Sequence, residues 1–430
     1  MSNAPKIAIV GAGPAGCMLA RLLNKASIPV TVFEGEASPD YRSQGGTLDL
    51  HTSTGLAAMK EAGLFDQFLT KARYGGDHLQ ITDHRRKVFL VRAGQPAPAK
   101  DDAKPVSRIQ EQRPEIDRAD LRRILTESLP AGMVRWGHHV KTFDPATGTL
   151  TFEGDVPPAT GFDLVVGADG AWSKVRLALA GDVKPIFSGV GAYELSVPDA
   201  EVTTPELHAA VKGGNLFAHA EYRRICIQQM GDGSLGVYAM LKQDNPDWAS
   251  RCGYDSHDLN QVKQALLEGA DAPFSDWDPL LKQAISAAQG KCTPRSMYHL
   301  PLGFRWEHCR GATLIGDAAH LMTPFAGEGV NVALEDAMKL ARAIVDAVRE
   351  KDGDWDEAVR EFEVEMGPRA EKVARLADQL GKLWMFEKGT PGSVMGRMAA
   401  LHISFGKPAI VYPLVSAITH TVFFVKGMLG

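Results

Sequence analysis

The chain has 430 residues, 44% of them hydrophobic and 23% charged, and a formal net charge of −5. That length allows two domains, or one large α/β unit with an inserted lobe, and the acidic balance leaves no basic footprint for nucleic acid. Five cysteines, an odd number without a CxxC pair, argue against a disulfide framework or a zinc site and fit a reducing, cytoplasmic setting.

From the N-terminus, KIAIV predicts a buried parallel strand that runs straight into glycines, so it is structure and not a signal segment. Next, GPAGCMLARLLNKAS spaces Ala15, Met18, Leu19, Leu22, Leu23 and Ala26 along one side of a helix. PVTVFE then predicts a second strand, which completes a βαβ unit. Gly11, Gly13 and Gly16 form G-x-G-x-x-G between the first strand and the helix. The first glycine makes the tight turn, the second admits a pyrophosphate to the backbone, and the third lets helix and strand pack closely. The helix start offers free N–H groups and a positive dipole end. Glu34 follows Gly16 by 18 residues, where a carboxylate can accept both hydroxyls of an adenosine ribose. The motif alone does not choose between NAD and FAD.

Further along, GQPAPAKDDAKP (94–105) predicts a surface loop and RADLRRILTESL an amphipathic helix. FDLVVGADG and GATLIGDAAH each predict a strand ending in a turn. GVNVALEDAMKLARAIVDAVRE predicts a long helix with Val330, Ala333, Leu334, Ala337, Ala341, Ile344 and Val348 along one side. Between about 185 and 300, pieces such as RRICIQQM and LGVYAML joined by GDGS predict an antiparallel sheet. RAEKVARLADQLGKLWMFEK (369–388) predicts a C-terminal helix with Val373, Leu376, Leu380, Leu383 and Trp384 at helical spacing. The apolar tail 408–430 is near the ~20-residue minimum for spanning a membrane. Pro413 and its scattered hydroxyls favour packing on protein over membrane contact.

DLVVGADGAWSKVR (163–176) and GDAAHLMTPFAGEGVN (316–331) stand in the order and spacing that resemble the flavin monooxygenases related to para-hydroxybenzoate hydroxylase. The resemblance implies FAD. It implies that Asp169 and Gly170 shape a turn near the pyrophosphate and the nicotinamide approach, steadied by Arg176. It also implies that Asp317 accepts a hydrogen bond from a ribityl hydroxyl, with Pro324 beside the flavin ring. The helix beginning near Gly327 and Gly329 would aim its N–H groups at the flavin pyrimidine edge, where reduced flavin carries negative charge. His320 reads as a structural part of this fingerprint and not as a catalyst. QGGTLDLHTSTGLAAMKEAGL and PEIDRADLRRIL resemble more closely the tetracycline-inactivating flavin monooxygenases. That resemblance puts Gly45, Gly46, Asp49 and Arg118 around the flavin, with Arg122 one turn further on as a phosphate ligand. Ala15, Val330 and Asn331 complete the expected cofactor contacts.

The chain departs from that pattern at Gly35, where the family usually has Arg, and at Asn215 and Gly236, near the expected Arg and His of a tetracycline grip. The expected architecture is α/β: a Rossmann-like FAD-binding domain (1–184 and 301–368), an inserted antiparallel-sheet substrate domain (185–300) and C-terminal helices (369–430). Phe217, His219, Tyr222 and Gln228 are substrate candidates, with Pro324 and Phe325, although strand alternation turns only about half of the sheet residues inward. The implied activity is oxygenation of an aromatic, enolic or polyketide-like small molecule through a C4a-hydroperoxyflavin, with O2 and transient NADH or NADPH. No catalytic side chain is assigned, because the cofactor carries the chemistry, and no metal is expected. The oligomeric state is read as monomer or dimer. A flavin halogenase would carry W-x-W-x-I-P, which is missing here. A non-catalytic flavin-fold carrier would not need both fingerprints.

Overall fold

The structure is a computed structural model that describes residues 4–39, 45–95, 113–350 and 353–405, and beyond them 407, 411–413, 415–416, 418–419 and 421–422. The chain forms two compact units. The first gathers Met1–Ala72, Asp102–Ile186 and Tyr298–Arg375; the second gathers Arg73–Asp101, Phe187–Met297 and Leu376–Gly430.

The first unit is built on a five-stranded sheet in the order Ala312–Leu314, Leu164–Gly167, Ile7–Val10, Val30–Phe33, Val134–Arg135, each neighbour parallel to the next. Ile7, Ala8 and Ile9 are wholly buried, as expected for the middle strand of a parallel sheet covered on both faces. The expected helix is Pro14–Lys25, with Pro at its start, and it packs against Gly329–Arg349. In Gly329–Arg349 the predicted Leu334, Ala337, Ala341 and Ile344 are buried. Val330, Ala333 and Val348 are only half-buried, and the polar Asn331 and Asp336 take fully buried places instead.

The second unit holds a seven-stranded sheet in the order Thr293–His299, Ile186–Val197, Leu235–Lys242, Arg223–Gln229, Asn215–Ala220, Leu79–Asp83, Val88–Arg92. The central pairs are antiparallel, but Asn215–Ala220 runs parallel to Leu79–Asp83. The sequence reading left 73–101 in the first domain; the structure puts its two strands on the edge of this second sheet. One face carries Leu216, Ala218, Ile225, Ile227, Val237 and Ala239 into a core shared with Leu207, Val262, Leu281 and Ile285 of the covering helices. The other face carries Asn215, Phe217 and His219, opposite Gln228, Cys226 and Arg224.

The predicted C-terminal helix begins earlier than its pattern suggested, at Trp355, and runs to Phe386 as one element of 32 residues. Pro368 lies inside it, where sequence reasoning had put a boundary. An internal proline costs about 3 kcal/mol. Buried Phe362, Met366, Ala370 and Val373 on either side of it hold the helix together. A further helix, Met395–Ser404, follows. Among the described residues no helix is long and apolar enough to cross a membrane. Most of the 94–105 loop and residues 423–430 of the tail lie outside the described residues. All five cysteines are free thiols, with Cys17, Cys226 and Cys292 buried.

Candidate functional site: two glycine turns and a buried ionic frame

The strand Ile7–Val10 ends at Gly11, whose φ of 104° suits glycine. A Cβ there would lie 2.4 Å from the Ala168 carbonyl oxygen, and one on Gly16 would lie 2.0 Å from the Gly11 carbonyl oxygen. A Cβ on Gly13, the residue just before the helix, would meet nothing within 4 Å. The first and third glycines are therefore demanded by packing, while the second leaves bare backbone beside the helix start. Glu34 is fixed at the end of its strand: Oε2 accepts from Ala12 N at 2.6 Å and Oε1 from Glu36 N at 2.9 Å. Each oxygen retains a lone pair for a ribose hydroxyl. Gly16→Ala is expected to weaken FAD retention roughly tenfold to a hundredfold, the ~1–3 kcal/mol of an overpacked site. The ratio of flavin to protein absorbance after gel filtration reads this out, and full retention would contradict the packing.

The second glycine turn follows Ala312–Leu314. Gly316 adopts φ 60° and opens the short helix Asp317–His320; Gly327, at φ 68°, precedes the helix Gly329–Arg349. The Asp317 side chain is solvent-exposed yet crowded by protein. That crowding raises its pKa against the opposing pull of His320, Arg118 and Arg176. Exposed Arg118 opens the helix Arg118–Glu127, and its N–H donates to the Gly46 carbonyl at 3.1 Å. Asn331 straps the 45–51 segment to the later helix: Nδ2 donates to Asp49 O at 2.8 Å, and Oδ1 accepts from His51 N at 2.8 Å. Gly46, Asp49, Arg118 and Asn331 are thus tied into one assembly in the first unit.

Asp169 caps the helix Lys174–Ala180, accepting from Ser173 Oγ at 2.5 Å and Lys174 N at 2.7 Å. Buried Arg176 donates to Ala318 O at 3.0 Å and to Ala171 O at 2.5 Å, which braces the Asp169 turn against the Asp317 helix. Arg122 differs from its expected place. It is buried, ion-paired with Glu36, and lies over the Trp136 ring, 5.9 Å from the centroid.

Two histidines frame the turn, His51 buried and His320 largely so. His320 Nε2 lies 2.5 Å from Asp336 Oδ2; Asp336 also accepts from Gly316 N at 3.0 Å and from Arg369 Nη2 at 3.0 Å. Burial alone would lower the His320 pKa, but Asp336 and Asp317 raise it. His51 lies with Nε2 3.0 Å from Asp49 Oδ2 and Nδ1 3.2 Å from Glu328 Oε2. Burial opposes its charge, yet the two carboxylates push its pKa up to about 9. A raised folded pKa means that the stabilisation is complete below the ordinary value near 6.5 and fades as pH rises to about 9. The protein is therefore expected to lose a few kcal/mol across that window in urea titrations, and His51→Gln should flatten the slope. A flat profile for the unaltered protein would contradict the pairing.

Sequence reasoning missed His51, Glu328, Asp336 and Arg369. The one available signal was Asp336, an acid between apolar positions of a helix. In the second unit, Phe217 is half-buried on the same face as Gln228, whose Nε2 donates to Asn215 Oδ1 at 2.9 Å. Tyr222 is not on that face; it makes the tight turn at φ 62°, with Lys242 Nζ 5.0 Å over its ring. His219 is 0% exposed and stacks on Trp384, ring centroids 4.1 Å apart. Burial, with Arg224 adding to it, holds its pKa well below the ordinary value. Pro324 and Phe325 form a 3-10 turn in the first unit, Pro324 exposed and Phe325 half-buried. Among the described residues no three His, Cys, Asp or Glu are arranged to hold a metal.

Residues 5–377 match the family described as "FAD binding domain". The chain is 30% identical over 418 residues to "Monooxygenase penA" of Penicillium thymicola, covering 86% of this chain and 93% of that one. It is 32% identical to "Monooxygenase asqM" of Emericella nidulans, covering 79% and 83%. The solved structure of tetracycline destructase Tet(55) shares the fold, with TM-score 0.65, 18% identity, and coverage of 94% of this chain and 97% of that one.

Proposed function

The chain belongs to the FAD binding domain family and is an FAD-dependent monooxygenase, and from that premise we propose that it oxygenates an electron-rich aromatic or enolic small molecule with electrons from NADH or NADPH. The observation that carries the reading is the meeting, in the first unit, of two glycine turns with Glu34, Arg118 and Asp317. Bound FAD supplies hydride acceptance and oxygen activation.

The residues divide the work along the cofactor. Glu34 accepts the adenosine ribose hydroxyls, while the start of Pro14–Lys25, with Gly11, Gly13, Ala15 and Gly16, receives the diphosphate. Arg118 adds positive charge beside it, and Arg122 acts through Glu36. Asp317 accepts a ribityl hydroxyl. Gly45, Gly46, Asp49, Pro324, Gly327, Gly329, Val330 and Asn331 surround the flavin, and the start of Gly329–Arg349 favours negative charge on its reduced form. Asp169 holds its turn for the nicotinamide approach. The second unit holds the substrate. Phe217 and Gln228 offer an aromatic surface and an amide to a ring bearing hydroxyl or keto groups, as in a polyketide.

The test reduces the bound FAD with NADH or NADPH in the presence of a panel of phenols and aromatic polyketides, then admits oxygen. Faster flavin reduction with one panel member, and a product one oxygen atom heavier, is the expected result. Reduction that no panel member accelerates, with peroxide as the only product, would overturn the proposed substrate class.

A further inference from the structure

We propose that Glu328 and His51 form a charge-setting pair that tunes the reduction potential of the bound flavin, with His51 as the positioning residue that offsets Glu328. The inference rests on the cofactor placement given above and goes beyond it. Glu328 is the residue immediately before the helix Gly329–Arg349, and its side chain makes no capping hydrogen bond to that helix. It turns instead to His51 Nδ1, at 3.2 Å, and is 6% exposed. The far side of the same imidazole meets Asp49 Oδ2 at 3.0 Å. Asn331 fixes both ends by hydrogen bonds to His51 N and Asp49 O. The cluster therefore holds two carboxylates and one imidazolium in a fixed frame, buried at His51 and Glu328 and half-buried at Asp49, with Arg113 facing Asp49.

Its position gives the charge a consequence. FAD held at its adenosine end by Glu34 would run past the first glycine turn, which would bring its ring system toward Asp317. There the helix Gly329–Arg349 begins, and Asp49 Oδ1 comes within 3.9 Å of where a Gly327 Cβ would stand. Reduction brings negative charge onto the flavin ring. The helix start welcomes that charge; the Glu328 carboxylate opposes it, and His51 cancels part of the opposition. In a low-dielectric site a single charge acts far more strongly than in water.

Removing the carboxylate while keeping its shape, Glu328→Gln, is expected to favour reduced over oxidised flavin at least tenfold. For a two-electron couple that raises the midpoint potential by about 30 mV. His51→Gln is expected to move the potential the opposite way, and the double variant, which loses one charge of each sign, to return near the starting value. The measurement is reduction of the holoprotein against a reference dye. In parallel, apoprotein is titrated with FAD by fluorescence quenching. A structural role alone predicts weaker FAD binding in each variant with no ordered pair of opposite shifts. Should His51→Gln fail to fold, the Glu328→Gln shift decides. Variants that bind FAD and share one potential, or shift in the same direction, would overturn the inference. A wild-type protein that binds no FAD would overturn the cofactor placement itself, a separate result.

Discussion

Asp336→Ala is expected to remove about 3–5 kcal/mol of folding stability, the usual result of breaking a buried ion pair by deleting one partner. Asp336 is 0% exposed and accepts from three groups at once: Gly316 N, His320 Nε2 and Arg369 Nη2. Without it, His320 loses the carboxylate that does most to raise its pKa, and burial works against its charge. Arg369 keeps Glu335 at 3.1 Å and Glu365 at 3.2 Å, so most of the loss falls on the His320 side. The Gly316 amide also loses its acceptor, which loosens the turn that presents Asp317. Urea midpoints should therefore fall, and FAD retention with them. Asp336→Asn is the informative control, because it keeps the shape and the Gly316 bond while losing the charge. If Asp336→Ala stayed within about 1 kcal/mol of the parent, the ionic frame would not carry the stability assigned to it.

Asp317→Ala should behave in the opposite manner. Its carboxylate is exposed and crowded, beside Arg118, Arg176 and His320. Its loss should leave the apoprotein's urea midpoint nearly unchanged. It should weaken FAD binding by about 1.5–3 kcal/mol, roughly ten- to a hundredfold, the loss of a hydrogen bond to a charged group. Titration of apoprotein with FAD decides the matter. Unchanged affinity would remove Asp317 from the cofactor site. Together the two substitutions separate holding the turn from using it.

What the sequence revealed and what it hid follow from the range of the forces involved. The βαβ unit was legible because its strand, glycine turn and helix are decided by neighbours within a few residues. The same holds for the hairpin between Arg223–Gln229 and Leu235–Lys242, announced by its Gly-Asp-Gly-Ser turn. The parallel pairing of Leu79–Asp83 with Asn215–Ala220 carries no such local mark. The substrate-face question needed the register: Asn215 lies opposite Gln228 and His219 opposite Arg224, so alternation places Phe217 and Gln228 together and sends Tyr222 to the turn. Asn331 and His51 stand 280 positions apart in sequence and 2.8 Å apart at their hydrogen bond. A buried polar residue is tolerated only because its partner is present, and no local pattern names a partner so distant. The start of the helix Trp355–Phe386 was hidden for the reverse reason: packing on both sides of Pro368 carries it through a residue that locally breaks helices.

The cysteines have a bearing on how long such an enzyme survives its own chemistry. Reduced flavin that meets oxygen without substrate yields hydrogen peroxide, and the species that peroxide attacks is the thiolate. Burial pushes the Cys17 thiol up to about 12 and Cys292 up to about 11, and it raises Cys226 and Cys309 as well. At neutral pH these sulfurs are almost entirely protonated. Cys17 lies at the first glycine turn itself, its thiol donating to Ala12 O at 3.3 Å. These four sulfurs are therefore kept in their least oxidisable form, which slows their loss to peroxide.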